Sequence, residues 1–460
     1  MGKLNSAIKN QRLEIQTILK KVIKRDFSGN AGLAIKNSLY QLFSSFVAQI
    51  GALLFTIIIA RILLPELFGL YSLALSTIIL FASFSDMATG TALIKFVSSA
   101  LGRKQPSKAN TYYHYFLKVR IWLTILVSLV LLVSAQFIAK DYYNKPLFLA
   151  LIAGCLYIFF NSLVFFADSL FKSTNNFRFV FYKEIFFQVV KLIIVPLAVL
   201  LTLKSVHSQE INVFVMILAL SLSQLLALIF FIFNSKKIAF LSYPKKEISS
   251  EEKRKINKFM LPLSATALSG IFFGYIDIVM LGRFVSVEFI GFYRAAFSLV
   301  GAIIPLIAFS TVLFPILGRL KGKQLEDGFK KALRITVLTS IFMILFIIIA
   351  SPLIIKLIFG KEYLTAVPIL QVLSLVIFST PLIDLYTTYM TIKGNTKLIA
   401  NFLIASTIIN IILNYLFITW FLNYSEFMAV IGAAIATILS RYLLLLGLII
   451  FRKRQSILKA

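Results

Sequence analysis

Apolar residues occur along this chain in long blocks that short polar segments separate. Blocks of about twenty residues or more lie at 38–60, 70–94, 115–139, 147–170, 179–203, 211–233, 259–281, 290–317, 335–358, 364–391, 398–421 and 427–451. An α-helix rises about 1.5 Å per residue and needs about 20 apolar residues to cross the roughly 30 Å of hydrocarbon in a bilayer. The pattern predicts an all-α integral membrane protein with about 12 transmembrane helices.

The composition and the distribution of charge agree with a membrane location. Hydrophobic residues make up 59% of the chain and charged residues only 14%, whereas soluble domains average about 45–50% apolar and about 25% charged residues. Most of the 47 lysine and arginine residues fall in the N-terminal arm, in the connections after even-numbered spans and in the C-terminal tail. Because cytoplasmic connections are enriched in basic residues, we expect a protein of the cytoplasmic (inner) membrane with both termini in the cytoplasm.

The chain has a net charge of +29, and the positions of the basic residues decide what this charge indicates. In a soluble protein this charge would indicate nucleic-acid binding. Here the basic residues flank membrane spans, where they face anionic lipid headgroups, so membrane lipids are predicted partners and nucleic acid is not. Residues 1–37 are basic and amphipathic but lack the apolar core of a signal peptide, which predicts a helix on the inner membrane surface.

One motif occurs twice. RILLPELFGLYSLALS begins at Arg61 and RFVSVEFIGFYRAAFS begins at Arg283, and the two stretches share six identities in sixteen positions. Gly69 aligns with Gly291, and each copy follows the first span of a group of six. Lys172 and Lys393 form a second pair of equivalent positions, between the fourth and fifth spans of each group.

A charged segment divides the two groups. We predict a first lobe at 38–233, a cytoplasmic linker at 234–258, a second lobe at 259–451 and a basic cytoplasmic tail at 452–460. Six spans per repeat give both copies the same orientation in the membrane. The lobes are then parallel repeats, as in transporters that have a central cavity between two rocking lobes.

Several stretches resemble one family in the same order along residues 30–450. They are LPELFGLYSLALS, FSDMATGTALIKF, YIDIVMLGRF, GKEYLTAVPILQVLS, IKGNTKLIANFLIASTIINIILNYLFI and VIGAAIATILS. Their set is similar to that of the polysaccharide-repeat (O-antigen-transporter-like) flippases of the multidrug, oligosaccharidyl-lipid and polysaccharide exporter superfamily. The resemblance implies that an oligosaccharide or polysaccharide repeat unit on a polyprenyl diphosphate moves from the cytoplasmic to the outer leaflet by alternating access. It also implies polysaccharide polymerases and glycosyltransferases as partners.

The sequence does not indicate an enzyme. It has no GxxxxGK[ST] loop for nucleotide binding, no HExxH motif and no clustered carboxylates. Cys155 is the only cysteine, so neither a disulfide framework nor a cysteine-based metal site is expected. We predict no cofactor, no metal and no catalytic residue.

Four basic residues in or beside the spans are candidates for substrate binding: Lys191, Arg294, Arg441 and Lys95. A charge at a helix centre costs at least roughly 2.5–3.5 kcal/mol and should face a cavity or a partner. A diphosphate needs such cations to replace its hydration, and arginine can bind phosphate with two parallel hydrogen bonds. The alternative for Lys95 and Arg441 is that each side chain extends to the membrane surface.

Three aspartates form the complementary set: Asp277, Asp86 and Asp384. They are candidates for coupling transport to H⁺ or Na⁺, but the sequence favours structural pairing with cations or with polar helix neighbours. Gln41, Ser45 and Gln49 follow Asn37 at steps of four, which places them on one helix face. This polar stripe either lines the cavity or bonds to a neighbouring helix.

Two other functions stay open. A drug or organic-cation antiporter of the same superfamily would have the same spans, and a membrane scaffold without transport activity would also be apolar. A cation exporter should present carboxylates without competing lysine and arginine in its cavity. A scaffold has no need of charge inside the membrane.

Overall fold

The computed structural model describes residues 29–205, 208–235, 238–307 and 322–457, and these residues form helices and turns without a β-strand. The described α-helices are α1 (Gly29–Ser83), α2 (Thr89–Gly102), α3 (Pro106–Gln136), α4 (Phe148–Ser173), α5 (Phe177–Ser205), α6 (Gln209–Ser235), α7 (Ser250–Phe284), α8 (Val287–Ile307), α9 (Gly322–Ile358), α10 (Ala366–Leu373), α11 (Val376–Ile392), α12 (Thr396–Leu422) and α13 (Glu426–Ile457). A π-helix, Phe137–Tyr142, continues α3, and 3₁₀ helices lie at Ala239–Ser242 and Lys361–Tyr363.

Some predicted segments lie outside the described residues. They are residues 1–28 of the surface arm, residues 308–317 at the end of the eighth span and residues 458–460 of the tail. Residues 29–37 of the predicted arm belong to α1.

Eleven stretches of the described chain are long and apolar enough to cross a bilayer, and Lys36–Ser83 is 48 residues long. Leu64 interrupts this stretch with a left-handed φ of 60° before Pro65, and a proline disfavours helical conformation in the residue before it. Phe55 and Ile79 flank the break yet line one cavity, so the chain folds back and α1 supplies two spans. The prediction of an all-α membrane protein with about 12 spans is confirmed.

The second predicted span, 70–94, is not one continuous helix. Between α1 and α2, Met87 and Ala88 have left-handed φ values of 40° and 56°. The Oδ1 atom of Asp86 accepts a hydrogen bond from the backbone N–H of Gly90 at 3.3 Å. An aspartate that bonds nearby backbone groups competes with helix formation, which explains a break that hydrophobicity does not reveal.

Helices α1–α6 pack together as a first lobe and α7–α13 as a second lobe, and α7 also contacts α1. Successive turns alternate between two ends of the molecule. Among the described residues, the basic end carries the turns at 103–105, 174–176, 238–249 and 393–395, and the motif end carries the two copies of the duplicated motif. A left-handed residue follows both of the helices that end beside these lysines: Asn175 (φ 60°) lies three residues after Lys172, and Gly394 (φ 81°) lies one residue after Lys393.

Two glycines of the duplicated motif bring the lobes into direct contact at the motif end. A Cβ atom on Gly69 would lie 1.7 Å from the carbonyl oxygen of Val287, and one on Gly291 would lie 2.1 Å from the carbonyl oxygen of Pro65. Only a residue without a side chain allows two backbones to approach this closely. The two copies of the motif therefore pack against each other.

Hydrogen bonds between the lobes reinforce this contact. The Tyr363 hydroxyl donates to the carbonyl oxygen of Ala60 at 2.8 Å, and the Nε of Arg61 donates to the carbonyl oxygen of Ile358 at 2.8 Å. Lys145 donates from Nζ to the carbonyl oxygen of Gly282 at 2.6 Å. Because these bonds all lie near the motif end, the lobes are closed against each other there.

The asymmetric distribution of basic residues predicts which end faces the cytoplasm. In a Cys155→Ala background, a cysteine at Ser425, which is exposed at the motif end, should react with an impermeant thiol reagent in intact cells. A cysteine at Ser249, exposed at the basic end, should react only after permeabilisation, because cytoplasmic connections are the basic ones. Labelling of Ser249→Cys in intact cells would contradict the predicted orientation.

The glycine contact predicts a way to open the motif end. Gly69→Ala would force the backbones apart, so we expect a cysteine at Ser72, which lines the cavity and is buried, to become reactive from the motif end. Gly301→Ala is the matched control, because a Cβ atom there would meet nothing within 4 Å. Equal protection of Ser72→Cys in both variants would show that the glycine contact does not close this end.

Candidate functional site

A cavity of about 670 Å³ lies inside the first lobe and along its border with the second. All six helices of the first lobe contribute to its wall, and α7 and α8 form one side. The cavity extends from Phe68, beside the contact at the motif end, to Lys172 in the last turn of α4. A solute in this cavity would contact side chains from both lobes.

Two of the predicted cations line this cavity, one from each lobe. Lys191 of α5 is 7% exposed, and its Nζ lies 4.9 Å from the ring centroid of Phe55 and 5.2 Å from that of Phe187. Arg294 of α8 lies over the ring of Tyr275, 5.6 Å from its centroid. Within the described chain neither cation forms an ion pair or a hydrogen bond. Ring faces attract cations without neutralising them, so both charges stay available to an anion.

Two further basic residues of the wall were not predicted from the sequence. Lys172 is half-buried and has no ion-pair partner among the described residues. Arg120 of α3 is 2% exposed and forms an ion pair with Asp86. Its Nε donates to the Ser162 hydroxyl at 2.7 Å, and it also donates to the Thr89 hydroxyl at 3.0 Å. Arg120 is therefore fully engaged and holds the broken second span in place.

Asp86 is the candidate aspartate that lines the cavity, and its side chain is 42% exposed. The structure brings it next to Arg120 rather than next to Asp277 or Asp384, which lie in the second lobe. Its oxygen Oδ1 accepts from Arg120 and from the Thr89 hydroxyl at 3.2 Å. The structure thus pairs Asp86 with a cation of α3.

Asp277 lies in the second lobe and outside the cavity wall, at the centre of a buried polar cluster. Its Oδ2 accepts from the hydroxyls of Tyr293 and Thr437, each at 2.6 Å, and its Oδ1 accepts from Nδ2 of Asn414 at 2.8 Å. The side-chain oxygens of Asn410 and Asn414 are buried there without a hydrogen-bond donor. The cluster joins α7, α8, α12 and α13 through oxygen-rich groups.

Arg441 and Asp384 also lie outside the cavity wall. The Arg441 guanidinium donates to the Thr380 hydroxyl at 2.7 Å and to the carbonyl oxygen of Phe273 at 3.4 Å. These bonds join α13 to α11 and α7. Asp384 is half-buried and forms no ion pair in the described chain.

The remaining candidates lie nearer the basic end. Lys95 is exposed and does not line the cavity; its Nζ lies 3.6 Å from the ring centroid of Phe259. Gln41 donates to the Ser45 hydroxyl at 3.4 Å within α1, and Gln49 is exposed.

The polar stripe does not itself line the cavity. However, Ala52 and Thr56, three and seven residues after Gln49, do line it. Residues at these spacings share one helix face, so the stripe and this part of the cavity wall lie on the same side of α1.

A buried ionic cluster at the border of α4 and α5 was not predicted. Lys183 contacts Oδ2 of Asp168 and Oε2 of Glu184, each at 3.0 Å. Lys183 and Asp168 are buried and Glu184 is half-buried. Gln188 donates to Glu184 at 2.6 Å. The signal was present in the sequence, because Asp168 lies inside the predicted fourth span and Lys183 and Glu184 are adjacent inside the fifth.

Comparisons with known proteins agree with this architecture. Over 107 residues, 22% of this chain and 22% of the relative, the chain is 31% identical to the teichuronic acid biosynthesis protein TuaB of Bacillus subtilis (strain 168). The match thus covers less than a quarter of that relative's length.

Two solved structures share the fold at 15% sequence identity. The lipid II flippase MurJ, in an inward closed conformation, superposes with a TM-score of 0.69 over 89% of this chain and 87% of that chain. A multidrug resistance MATE family transporter of the MOP superfamily, in an inward-facing conformation, gives a TM-score of 0.66 over 92% of this chain and 95% of that chain.

The family match is the most extensive in sequence. Residues 34–321, more than half of the chain, match the family described as polysaccharide biosynthesis protein. The matched segment includes the first lobe, α7, α8 and every residue that lines the cavity. The chain therefore belongs to the polysaccharide biosynthesis protein family.

Proposed function

We propose that this protein is a flippase that moves a lipid-linked oligosaccharide or polysaccharide repeat unit across the cytoplasmic membrane by alternating access. The observation that carries the proposal is that Lys191 and Arg294, one from each lobe, line one cavity as cations that form no ion pair with the described residues. The family match and the name of the relative, which refers to teichuronic acid biosynthesis, support a role in glycan export. Enzymes that make and polymerise the glycan remain predicted partners, and the chain itself is proposed to catalyse no reaction.

The cavity can hold the charged part of such a substrate. A diphosphate cannot cross hydrocarbon without its hydration shell unless other groups replace the water. The ammonium of Lys191 can act as a point charge and the guanidinium of Arg294 as a forked donor, while Lys172 adds a third cation near the basic end. The polyprenyl chain can remain in the bilayer while the polar head occupies the cavity.

The closed motif end fits one stage of the transport cycle. With the lobes in contact at Gly69 and Gly291, the substrate would enter from the basic end, which the charge distribution assigns to the cytoplasm. Separation of the two motif copies would then expose Lys191 and Arg294 to the opposite side. Lys191 lies in the first lobe and Arg294 in the second, and both line the cavity, so a diphosphate bound to both would contact the two parts that move.

The cavity is poorly suited to an organic cation, which is the alternative substrate. Its described wall contains one carboxylate, Asp86, and that carboxylate is paired with Arg120. Lys172, Lys191 and Arg294 would repel a cationic drug at close range. The MATE family neighbour shares the fold, but the charges of this cavity favour an anion.

We further propose that Asp277 couples transport to a gradient of H⁺ or Na⁺. The carboxylate and the unpartnered side-chain oxygens of Asn410 and Asn414 form an oxygen-rich group suited to a proton or a hard cation. Tyr293, which bonds Asp277 at 2.6 Å, precedes Arg294 in α8. A change in the charge of Asp277 would therefore act on Tyr293, the residue next to Arg294 of the cavity wall. No role in coupling is proposed for Asp86, because its carboxylate is already paired, or for Asp384.

The anion-binding proposal predicts a specific loss of transport. Lys191→Ala and Arg294→Ala should each weaken diphosphate binding by about 10- to 100-fold, because a hydrogen bond to a charged group contributes about 1.5–3 kcal/mol. Lipid-linked glycan should then accumulate in the cytoplasmic leaflet, as measured by its protection from an impermeant probe in spheroplasts. Arg294→Lys should retain more function than Arg294→Ala.

Lys95→Ala is the matched control, because it removes a cation that lies outside the cavity wall. It should leave export close to that of the parent protein. Normal glycan export by the Lys191→Ala, Arg294→Ala double variant would disprove the cationic cavity. Increased drug sensitivity in cells that carry this variant would favour the antiporter instead.

The coupling proposal predicts a variant that still binds substrate but no longer transports it. Asp277→Asn keeps the shape of the side chain but removes its charge, so transport driven by an imposed H⁺ or Na⁺ gradient in proteoliposomes should be abolished while substrate binding is retained. Asp141→Asn is the control, because Asp141 is an exposed carboxylate at the motif end and forms no hydrogen bond or ion pair with the cluster in the described chain. If Asp277→Asn transports at the parent rate, Asp277 has only a structural role.

A further inference from the structure

Three residues of the cavity wall have buried polar atoms that lack a hydrogen-bond partner among the residues that the structure describes. They are the hydroxyls of Tyr71 and Ser72 and the side-chain oxygen of Gln224. Their side chains belong to residues that are only 4%, 3% and 6% exposed. A buried polar group without a partner destabilises a protein by about 1–3 kcal/mol. Three such groups in one wall indicate a ligand that bonds them.

The amide groups at this wall are oriented by a contact between α4 and α6. Gln224 donates from Nε2 to the side-chain oxygen of Asn161 at 3.0 Å. This bond leaves Gln224 with a free acceptor and Asn161 with a free donor among the described residues. With the two hydroxyls, the wall can therefore both donate and accept hydrogen bonds.

The same region of the cavity contains aromatic rings. Tyr157, Tyr275 and Phe68 line it beside the polar groups. Sites for small organic ligands combine apolar and aromatic surface with a few placed polar groups that fix orientation. A pyranose ring matches this combination, because its hydroxyls donate and accept while its carbon-bound hydrogens pack on ring faces.

The wall also differs from the cationic site in charge. Tyr71, Ser72, Asn161 and Gln224, which we call the neutral wall, carry no formal charge, so they offer a diphosphate no counter-charge. Ser72 occupies the position in the first motif copy that Arg294 occupies in the second. One motif copy thus presents a hydroxyl to the cavity and the other a guanidinium.

We propose that the neutral wall binds an uncharged, hydroxyl-bearing sugar ring attached to the diphosphate. The cavity would then have two parts: Lys191 and Arg294 for the diphosphate and the neutral wall for the sugar. This inference rests on the proposed flippase function. It assigns sugar recognition mainly to the first lobe, because all four residues of the neutral wall belong to α1, α4 and α6.

Two soluble probes test the two parts separately. One is a short-chain polyprenyl diphosphate that carries a single hexose or N-acetylhexosamine, and the other is the same diphosphate without sugar. With purified full-length protein, at least one glycosylated probe should bind about tenfold more tightly than the bare one, which corresponds to about 1.4 kcal/mol. Tyr71→Phe and Gln224→Met should each reduce this ratio to about threefold or less and leave affinity for the bare probe unchanged.

Two control variants complete the experiment. Asn212→Leu removes another buried amide of α6 with an unpartnered oxygen, but Asn212 does not line the cavity, so the ratio should stay near tenfold. Lys191→Ala should weaken binding of both probes. Tyr71→Phe removes a single oxygen atom and keeps the ring, so it tests the wall with little risk to folding.

The results separate the inference from the function on which it rests. Equal binding of the bare and glycosylated probes by the parent protein would show that the neutral wall is not a sugar site. Water would then be the partner of the Tyr71 and Ser72 hydroxyls and of the Gln224 side-chain oxygen. Equal weakening of both probes by Gln224→Met would also overturn it. Failure of the parent protein to bind either probe would overturn the proposed function together with the inference.

Discussion

The close approach of the backbones at Gly69 and Gly291 is the constraint that sets the geometry of the cavity. It fixes the second span of the first lobe against α8, and those two helices carry Tyr71, Ser72 and Arg294 just inside the contact. Because backbone touches backbone, no side chain can change rotamer to absorb a displacement. Closure at the motif end and the position of these cavity groups are therefore one property of the fold.

Each copy of the motif contributes a glycine to this contact, but the side chains near the two glycines differ in their bonds. In α8, Gly291 packs on the first lobe, Tyr293 bonds the Asp277 cluster and Arg294 faces the cavity. In the first lobe the tyrosine equivalent to Tyr293 is Tyr71, whose hydroxyl has no described partner. Within residues 291–294, the second copy thus combines the contact with the first lobe, the bond to Asp277 and a cation of the cavity wall. If α8 moves as a rigid helix, these three groups move together.

Much of this architecture could be predicted from the sequence because it depends on long-range averages. Span length, basic asymmetry and the duplicated motif each extend over many residues, so local exceptions do not hide them. The break at 84–88 could not be predicted, since it depends on how Asp86 bonds the local backbone and Arg120 of another helix. A hydrophobicity pattern shows that a charged residue lies inside a span, but it does not show which residues its side chain contacts. For this reason Lys191 and Arg441 looked alike in sequence, while the structure places only Lys191 in the described cavity wall.

The buried lysines Lys183 and Lys191 differ in whether they form ion pairs. Lys183 lies 3.0 Å from each of two carboxylates, and removing one partner of such a buried pair typically costs about 3–5 kcal/mol. Paired groups of this kind hold helices together. Lys191 lies against two ring faces and forms no ion pair with the described residues, and Glu184 is the carboxylate that acts on it from a distance. Its buried charge therefore retains part of a desolvation penalty that an anion would offset. Under the proposed function, the negative charge of a diphosphate would offset this penalty, so the same burial that makes the lysine costly in the fold would favour binding of the anion.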